Sequence, residues 1–252
     1  MITRHHLSLT LLCTLILCCA FFWGDPIITG LVITGALAGA ILPDIQMKKP
    51  SRFRAIILAY WITRFTDRLC VPVMNAVYSS FLKKSFDPKD KRLTHSIPGI
   101  LGIGICVSAL LLVPAAILGD ATVNRYAVAF TVGVLLGLFL HLVLDLCTRK
   151  GISPFFPFST YHLRGSIRPC DTGDRRILYF HFSCVLVIAG MIALVIHEPA
   201  GSDLIRPVGL LGFMLCSGTM VLFTRRDGSG DPRYNRHGMA EGAGSLTPPY
   251  PR

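Results

Sequence analysis

Six apolar runs, each close to the length of a bilayer crossing, divide this 252-residue chain and leave few folds open to it. A hydrocarbon core about 30 Å thick is crossed by roughly 17 to 25 helical residues. The runs fall at residues 7–23, 27–43, 97–118, 126–147, 177–196 and 205–223. Inside hydrocarbon every backbone N–H and C=O has to be paired within the chain, so runs of this length form helices. The expected fold class is all-α, a polytopic transmembrane helical bundle of about six spans that occupies residues 1–226. Composition agrees: 15% of residues are charged, against about 25% in soluble domains, and the mean hydropathy is +0.57.

The first two runs are short and joined only by "GDP", the pattern of a tight helical hairpin. A signal peptide with Arg4 in its basic region is the rival reading of residues 1–23. No small-x-small cleavage site precedes "WGDP", so an uncleaved first span is the expectation. Between spans two and three, residues 51–84 carry apolar runs interrupted by Arg64, Asp67 and Arg68. This segment reads as one or two amphipathic helices at the membrane interface; a crossing pair here is the alternative and would preserve the orientation elsewhere. Residues 227–252 are rich in Gly, Pro and polar side chains, a composition that buries no core, and are expected to form a disordered cytoplasmic tail.

The net charge of +11 invites a nucleic-acid reading until the charges are placed. With the N-terminus taken as cytoplasmic, inner segments hold 23 of the 25 Lys and Arg residues, and the outer side holds only Arg125 and Arg206. The positive-inside rule then orients all six spans without conflict, placing a multi-pass protein in the cell membrane with both termini cytoplasmic. Basicity here reflects topology and contact with membrane lipid, and no nucleic acid is needed to account for it. Of the nine cysteines, Cys13, Cys18, Cys19, Cys106, Cys147, Cys184 and Cys216 lie in apolar runs, where Cys acts as a small hydrophobe. There is no CxxC pair, which excludes a zinc ribbon or a thioredoxin-like motif.

Against this background "GLFLHLVLDLCTRKG", residues 137–151, stands out, because His141 and Asp145 interrupt an otherwise lipid-soluble helix. One turn apart, they share a helix face. A charge at a helix centre costs about 2.5–3.5 kcal/mol on insertion scales, and Asp145 is the only carboxylate inside the six runs. At 1.5 Å per residue it lies roughly 13 Å from the middle of its run, and His141 roughly 7 Å. On the same inner side, His6 begins span one, Asp44 follows Pro43 at the end of span two, and His95 begins span three. Five residues from four helices thus gather at one leaflet. Imidazole nitrogen and carboxylate oxygen are the donors of a divalent metal site, with zinc first and manganese or iron as alternatives. A metal would neutralise the carboxylate and satisfy the imidazoles. Each residue also has a structural reading: His6 as interfacial polarity, Asp44 as a turn former behind a helix-stopping Pro43, His95 as a cap beside Thr94 and Ser96, and His141 with Asp145 as a hydrogen-bonded pair. His181 starts span five on this side and is a weaker candidate.

At these residues the chain resembles the YdjM-like family of LexA-regulated, membrane-bound, metal-dependent hydrolases. That family's pattern is an early His, an "LPDxD" segment, "HRGxTHS", and "HxxxDxxTxxG" followed by "PFS". The matching stretches are "TRHHL" with His6, "LPDIQ" with Asp44, "KRLTHS" with Thr94, His95 and Ser96, and "HLVLDLCTRKGISPFFPFS". The last is the most specific, carrying His141, Asp145, Thr148, Gly151 and Pro157-Phe158-Ser159. The resemblance covers roughly residues 3 to 176. Two positions depart from it: Gln46 stands where the family has a second Asp, and Asp90 where "HRGxTHS" has its first His. Either this branch uses fewer ligands, with one metal in place of two, or its activity has decayed.

Under the hydrolase reading, Asp44, His95, His141 and Asp145, with His6, hold the metal, and Asp90 or Asp44 is the general base for a water of lowered pKa. The inner loop after span four carries Arg149, Lys150, Arg164 and Arg168. Guanidinium groups suit a phosphoester, including a lipid headgroup, although any cytoplasmic loop is basic. "CDTGD" adds Asp171 and Asp174, more often turn formers than ligands. A metal transporter is the second class; transporters put their polar site near the bilayer midplane, where no run here has a charge. A non-catalytic metal-binding membrane protein is the third.

Overall fold

The computed structural model describes residues 3–45, 68, 71–82, 91–159, 161–169, 174–197 and 203–224. Among them lie α1 (Thr3–Phe21), α2 (Pro26–Ile45), α3 (Val71–Leu82), α4 (Lys91–Thr94), α5 (Ile97–Leu118), α6 (Ala121–Leu146), α7 (Arg176–His197) and α8 (Ile205–Thr224). Six of these, α1, α2 and α5 to α8, are long and apolar enough to cross a membrane. No strand occurs among the described residues beyond two isolated bridges, Thr148 with Ile167 and Ile152 with Leu163. The chain is an all-α, multi-span membrane protein.

The helix limits depart from the apolar runs in an instructive way. α6 begins at Ala121, before Arg125, because Asp120 caps it by accepting from the backbone N–H groups of Thr122 (2.7 Å) and Val123 (2.9 Å). Gly119, at φ 70°, ends α5 in the left-handed conformation, so two residues make the whole turn between α5 and α6. Likewise Asp25 Oδ1 accepts from Ile28 N–H at 3.0 Å and starts α2, closing the expected hairpin with α1. Its other oxygen takes a 2.7 Å bond from Arg125, so both hairpins meet at the end the charge count assigns outside. Pro43 does not stop α2, contrary to the sequence expectation. The helix continues to Ile45 with Asp44 inside it, since a proline this close to a helix end frees only one carbonyl of the preceding turn.

α2 and α6 make the most extensive helix pair of the bundle. Each carries two glycines four apart, Gly35 and Gly39 on α2, Gly133 and Gly137 on α6. The stripes face each other so closely that a methyl added at Gly137 would sit 2.0 Å from the Ala36 carbonyl oxygen, and one added at Gly39 2.1 Å from that of Val134. Backbone-to-backbone approach through small residues is how helices associate in lipid, where hydrophobic burial gives little drive. α1 fills the other side, packing Leu9, Cys13 and Ile16 against α6, α7 and α8. The seven cysteines among the described residues are free thiols.

α3 is the described part of the 51–84 segment. It buries Met74 and Tyr78 against α5 and leaves Val73 and Val77 exposed. Apart from Arg68, the rest of that segment, and the 227–252 tail, lie outside the described residues. Beyond α6 the chain folds into a compact loop. Thr148 accepts there from Gly151 N–H, while its hydroxyl donates to the Asp145 carbonyl at 2.8 Å. Gly151 needs its φ of 65° to let the loop turn back.

Candidate metal centre

Five side chains meet where α1 and the 95–97 turn begin and where α2 and α6 end. α6 contributes His141 and Asp145 from its last two turns, and α2 contributes Asp44. α1 brings His6 from its first two turns. His95 stands between α4 and α5, and its neighbour Ser96 is the residue that caps α5, accepting from Gly99 N–H at 3.1 Å. With Ser96 doing the capping, His95 is left to face the cluster.

Asp145 is the hub. Its Oδ1 lies 3.1 Å from His6 Nε2, and its Oδ2 lies 3.5 Å from His141 Nε2 and 3.7 Å from His95 Nε2. His95 Nε2 is also 3.5 Å from Asp44 Oδ1. The His6 and His141 rings stack at 4.4 Å, and His95 meets His141 edge-on at 5.2 Å. The donor atoms of His6, His141 and Asp145 all lie within 4.8 Å of one another, as do those of Asp44, His95 and His141. His6 and His141 are wholly enclosed, whereas the Asp44 side chain, at 21% exposed, marks the open mouth.

The orientation of the His141 ring is fixed by a backbone contact. Its Nδ1 lies 2.7 Å from the Ala40 carbonyl oxygen. A carbonyl can only accept, so Nδ1 carries a proton and Nε2 is the ring nitrogen turned to the cluster. Nε2 faces a carboxylate oxygen 3.5 Å away and makes no hydrogen bond. A buried imidazole nitrogen beside a buried carboxylate calls for a cation between them. Both ring nitrogens of His6 are likewise buried without a hydrogen bond, the 3.1 Å approach to Asp145 being misaligned for one. The alternative reading of His141 and Asp145 as a hydrogen-bonded pair finds them 3.5 Å apart with no hydrogen bond at His141 Nε2. Three imidazoles and two carboxylates with orphaned buried nitrogens are a donor set that fits a divalent metal ion.

Of the remaining candidates, His181 lies elsewhere. Its Nε2 is 2.7 Å from Ser8 Oγ, and its Nδ1 donates to the Ile177 carbonyl at 2.7 Å, on another face of α1. Asp174 binds the Arg176 guanidinium, at 2.6 Å for the closest pair, and this holds its carboxyl well below the ordinary carboxylate range. Asp90, Gln46 and Asp171 lie outside the described residues. Sequence reasoning missed the Ala40 carbonyl, which orients His141; the glycine pairs on α2 and α6, which bring that carbonyl within reach, were the legible signal.

The family model of the YdjM inner membrane protein matches residues 1–221. The chain belongs to this family. The match extends past the motif-bearing segment through α7 and into α8, so the whole bundle is the shared unit, and it agrees with a multi-pass inner membrane protein. No curated protein and no solved structure matches the chain.

Proposed function

We propose that this YdjM-family protein binds a divalent metal ion, zinc foremost with manganese or iron as alternatives, and hydrolyses a phosphoester at the cytoplasmic membrane face. The observation that carries the reading is the convergence of three imidazoles and two carboxylates on one buried point, with His141 Nε2 turned toward Asp145 Oδ2 by the Ala40 carbonyl. Contacts of 3.1 to 3.7 Å among the donors suit groups sharing one ion, whose ligands stand roughly 3–4 Å apart when bonds run about 2.0–2.2 Å. Such an ion supplies Lewis acidity that makes a neighbouring water acidic near neutral pH.

The residues divide the remaining work. His6, His95, His141 and Asp145 provide the nitrogen and oxygen donors, and the Ala40 carbonyl keeps His141 in register, as partners behind a ligand do. Asp44, at the mouth, is the carboxylate placed to accept the attacking water's proton; Asp90 belongs to the same proposal as an alternative base. The enclosing helices exclude bulk water from His6 and His141, which strengthens charge interactions inside. The cytoplasmic placement of this end and of both termini rests on the 23-to-2 distribution of basic residues. A site at helix ends, rather than at the bilayer midplane, favours hydrolysis over transport.

The test is metal analysis of detergent-purified parent and Asp145→Asn protein, followed by turnover of phosphomonoesters and phospholipids with and without chelator. Bound metal in the parent, lost in the variant, with chelator-sensitive turnover, is expected. Absence of metal from the parent after zinc loading sinks the proposal. Metal without turnover on any ester would leave a non-catalytic metal-binding membrane protein.

A further inference from the structure

The mouth of the cluster is flanked by apolar surface beside the first turns of α5, a helix long and apolar enough to cross a membrane. Met74 of α3 packs on Gly102 of α5 so tightly that a methyl there would lie 2.9 Å from Met74 Cγ. Gly102 is five residues inside a membrane-spanning helix that starts at Ile97, about 7 Å along its axis at 1.5 Å per residue. α3 therefore lies alongside the first two turns of that span. Its adjacent face exposes Val73 and Val77, each 45% accessible.

The loop after α6 extends the same surface. The Pro154 carbonyl accepts from Ile97 N–H at 2.8 Å, which pins the loop to the first residue of α5. Phe155 and Phe158 follow immediately and are 51% and 61% exposed. Phe158 meets Tyr78 of α3 edge-on, ring centres 6.2 Å apart, so loop and helix form one ledge. Between them Phe156 turns inward, into the buried cluster that holds Leu42 and Leu93, each two residues from a member of the metal centre, Asp44 and His95. The Arg92 guanidinium lies 4.7 Å over the Phe156 ring, which seats a cation on the side chain linking ledge to mouth. Apolar and aromatic side chains below a basic group are the composition of a membrane interface.

We propose that Val73, Val77, Phe155 and Phe158 form a ledge immersed in the leaflet on the cluster's side. On it rest the acyl chains of a phospholipid whose phosphate meets Arg92 beside the Asp44–His95 mouth. The lipid seat stands on these contacts alone, while the fate of the seated lipid rests on the hydrolase reading above. The depth chooses a membrane lipid over a soluble phosphate ester, because a soluble ester has no use for an apolar approach through hydrocarbon.

The experiment uses the full chain in nanodiscs containing phosphatidylglycerol. A Phe158→Trp variant is compared with its parent, whose own tryptophans are Trp23 and Trp61. The added emission should be quenched at least twofold by acyl-brominated lipid and little by aqueous acrylamide; the reverse pattern overturns immersion. A Val77→Ser/Phe158→Ser double variant and Arg92→Gln should retain at least fivefold less phosphatidylglycerol through detergent purification, read by native mass spectrometry. Retention equal to the parent, or a parent that retains none, overturns the seat. With zinc present, the double variant should lose phosphatidylglycerol hydrolysis at least fivefold while p-nitrophenyl phosphate turnover stays within twofold; equal losses on both overturn delivery by the ledge. A parent that holds lipid yet hydrolyses neither ester refutes the hydrolase reading and leaves the seat standing.

Discussion

Replacing Gly137 by Ala places one methyl group where α6 touches α2, one turn before His141. The added Cβ would lie 2.0 Å from the Ala36 carbonyl oxygen and 2.8 Å from both the Ala36 carbonyl carbon and the Ala40 nitrogen, whereas ordinary contact begins at 3.4 Å. All three are backbone atoms and cannot swing aside, so the helices separate by about 1.4 Å, the difference between 3.4 and 2.0 Å. Overpacking of this kind costs about 1–3 kcal/mol. Carried one turn along α6, the shift lengthens the 2.7 Å contact from His141 Nδ1 to the Ala40 carbonyl to about 4 Å, beyond the roughly 3.2 Å limit of an N–H···O bond. His141 then loses the partner that orients its ring, and losses of that type lower metal affinity about 10- to 100-fold. Thermal unfolding in detergent and zinc competition titration read the two effects separately. Gly30→Ala, on the partner helix α2, is the control, because nothing lies within 4 Å of its added methyl. If Gly137→Ala melts and binds zinc like Gly30→Ala, the backbone contact between α2 and α6 does not position His141, and the reasoning fails.

Asp145→Asn should abolish zinc binding, because the hub that faces His6, His95 and His141 loses its charge. Membrane insertion should be intact or easier, read by membrane fractionation. His181→Ala should leave zinc affinity within about twofold by the same titration, since that ring is committed to Ser8 and Ile177. A reporter fused after Arg252 should respond only to the cytoplasm, and a signal from the outer compartment would contradict the distribution of basic residues. The Asp174–Arg176 pair gives a pH dependence with a definite sign. The Asp174 carboxyl is held low chiefly by its hydrogen bond from Arg176, so its stabilisation of the loop onto α7 is fully present above the unfolded value of about 3.9. It fades as pH falls further. Limited proteolysis of the loop should then separate parent from Asp174→Asn by a constant margin between pH 5 and 8, with the margin shrinking below about pH 4.

Length and hydropathy alone determined the spans, because a bilayer demands a minimum apolar length and complete internal pairing of the backbone. The same demand made Asp145 conspicuous, and helical periodicity was enough to put His141 on the same face as Asp145. Span ends were less legible, since hydropathy stops at Arg125 while the Asp120 cap carries α6 past it, and Pro43 is tolerated where a rule of thumb ends the helix. His6 shows the deeper limit. Position along α1 places it at the right depth, but the neighbouring His5, Ser8 and His181 lie at the same depth and face elsewhere. Which face of α1 turns toward Asp145 depends on how α1 packs against α6, α7 and α8, a contact among residues far apart in the chain. The Ala40 carbonyl is still less visible, because every residue has one. It became the partner of His141 only because four glycines let two backbones approach to the point where a side chain on one helix reaches the main chain of the other. Depth is a one-dimensional property that a sequence carries directly; rotation and approach are set by packing, and only the tertiary structure decided them.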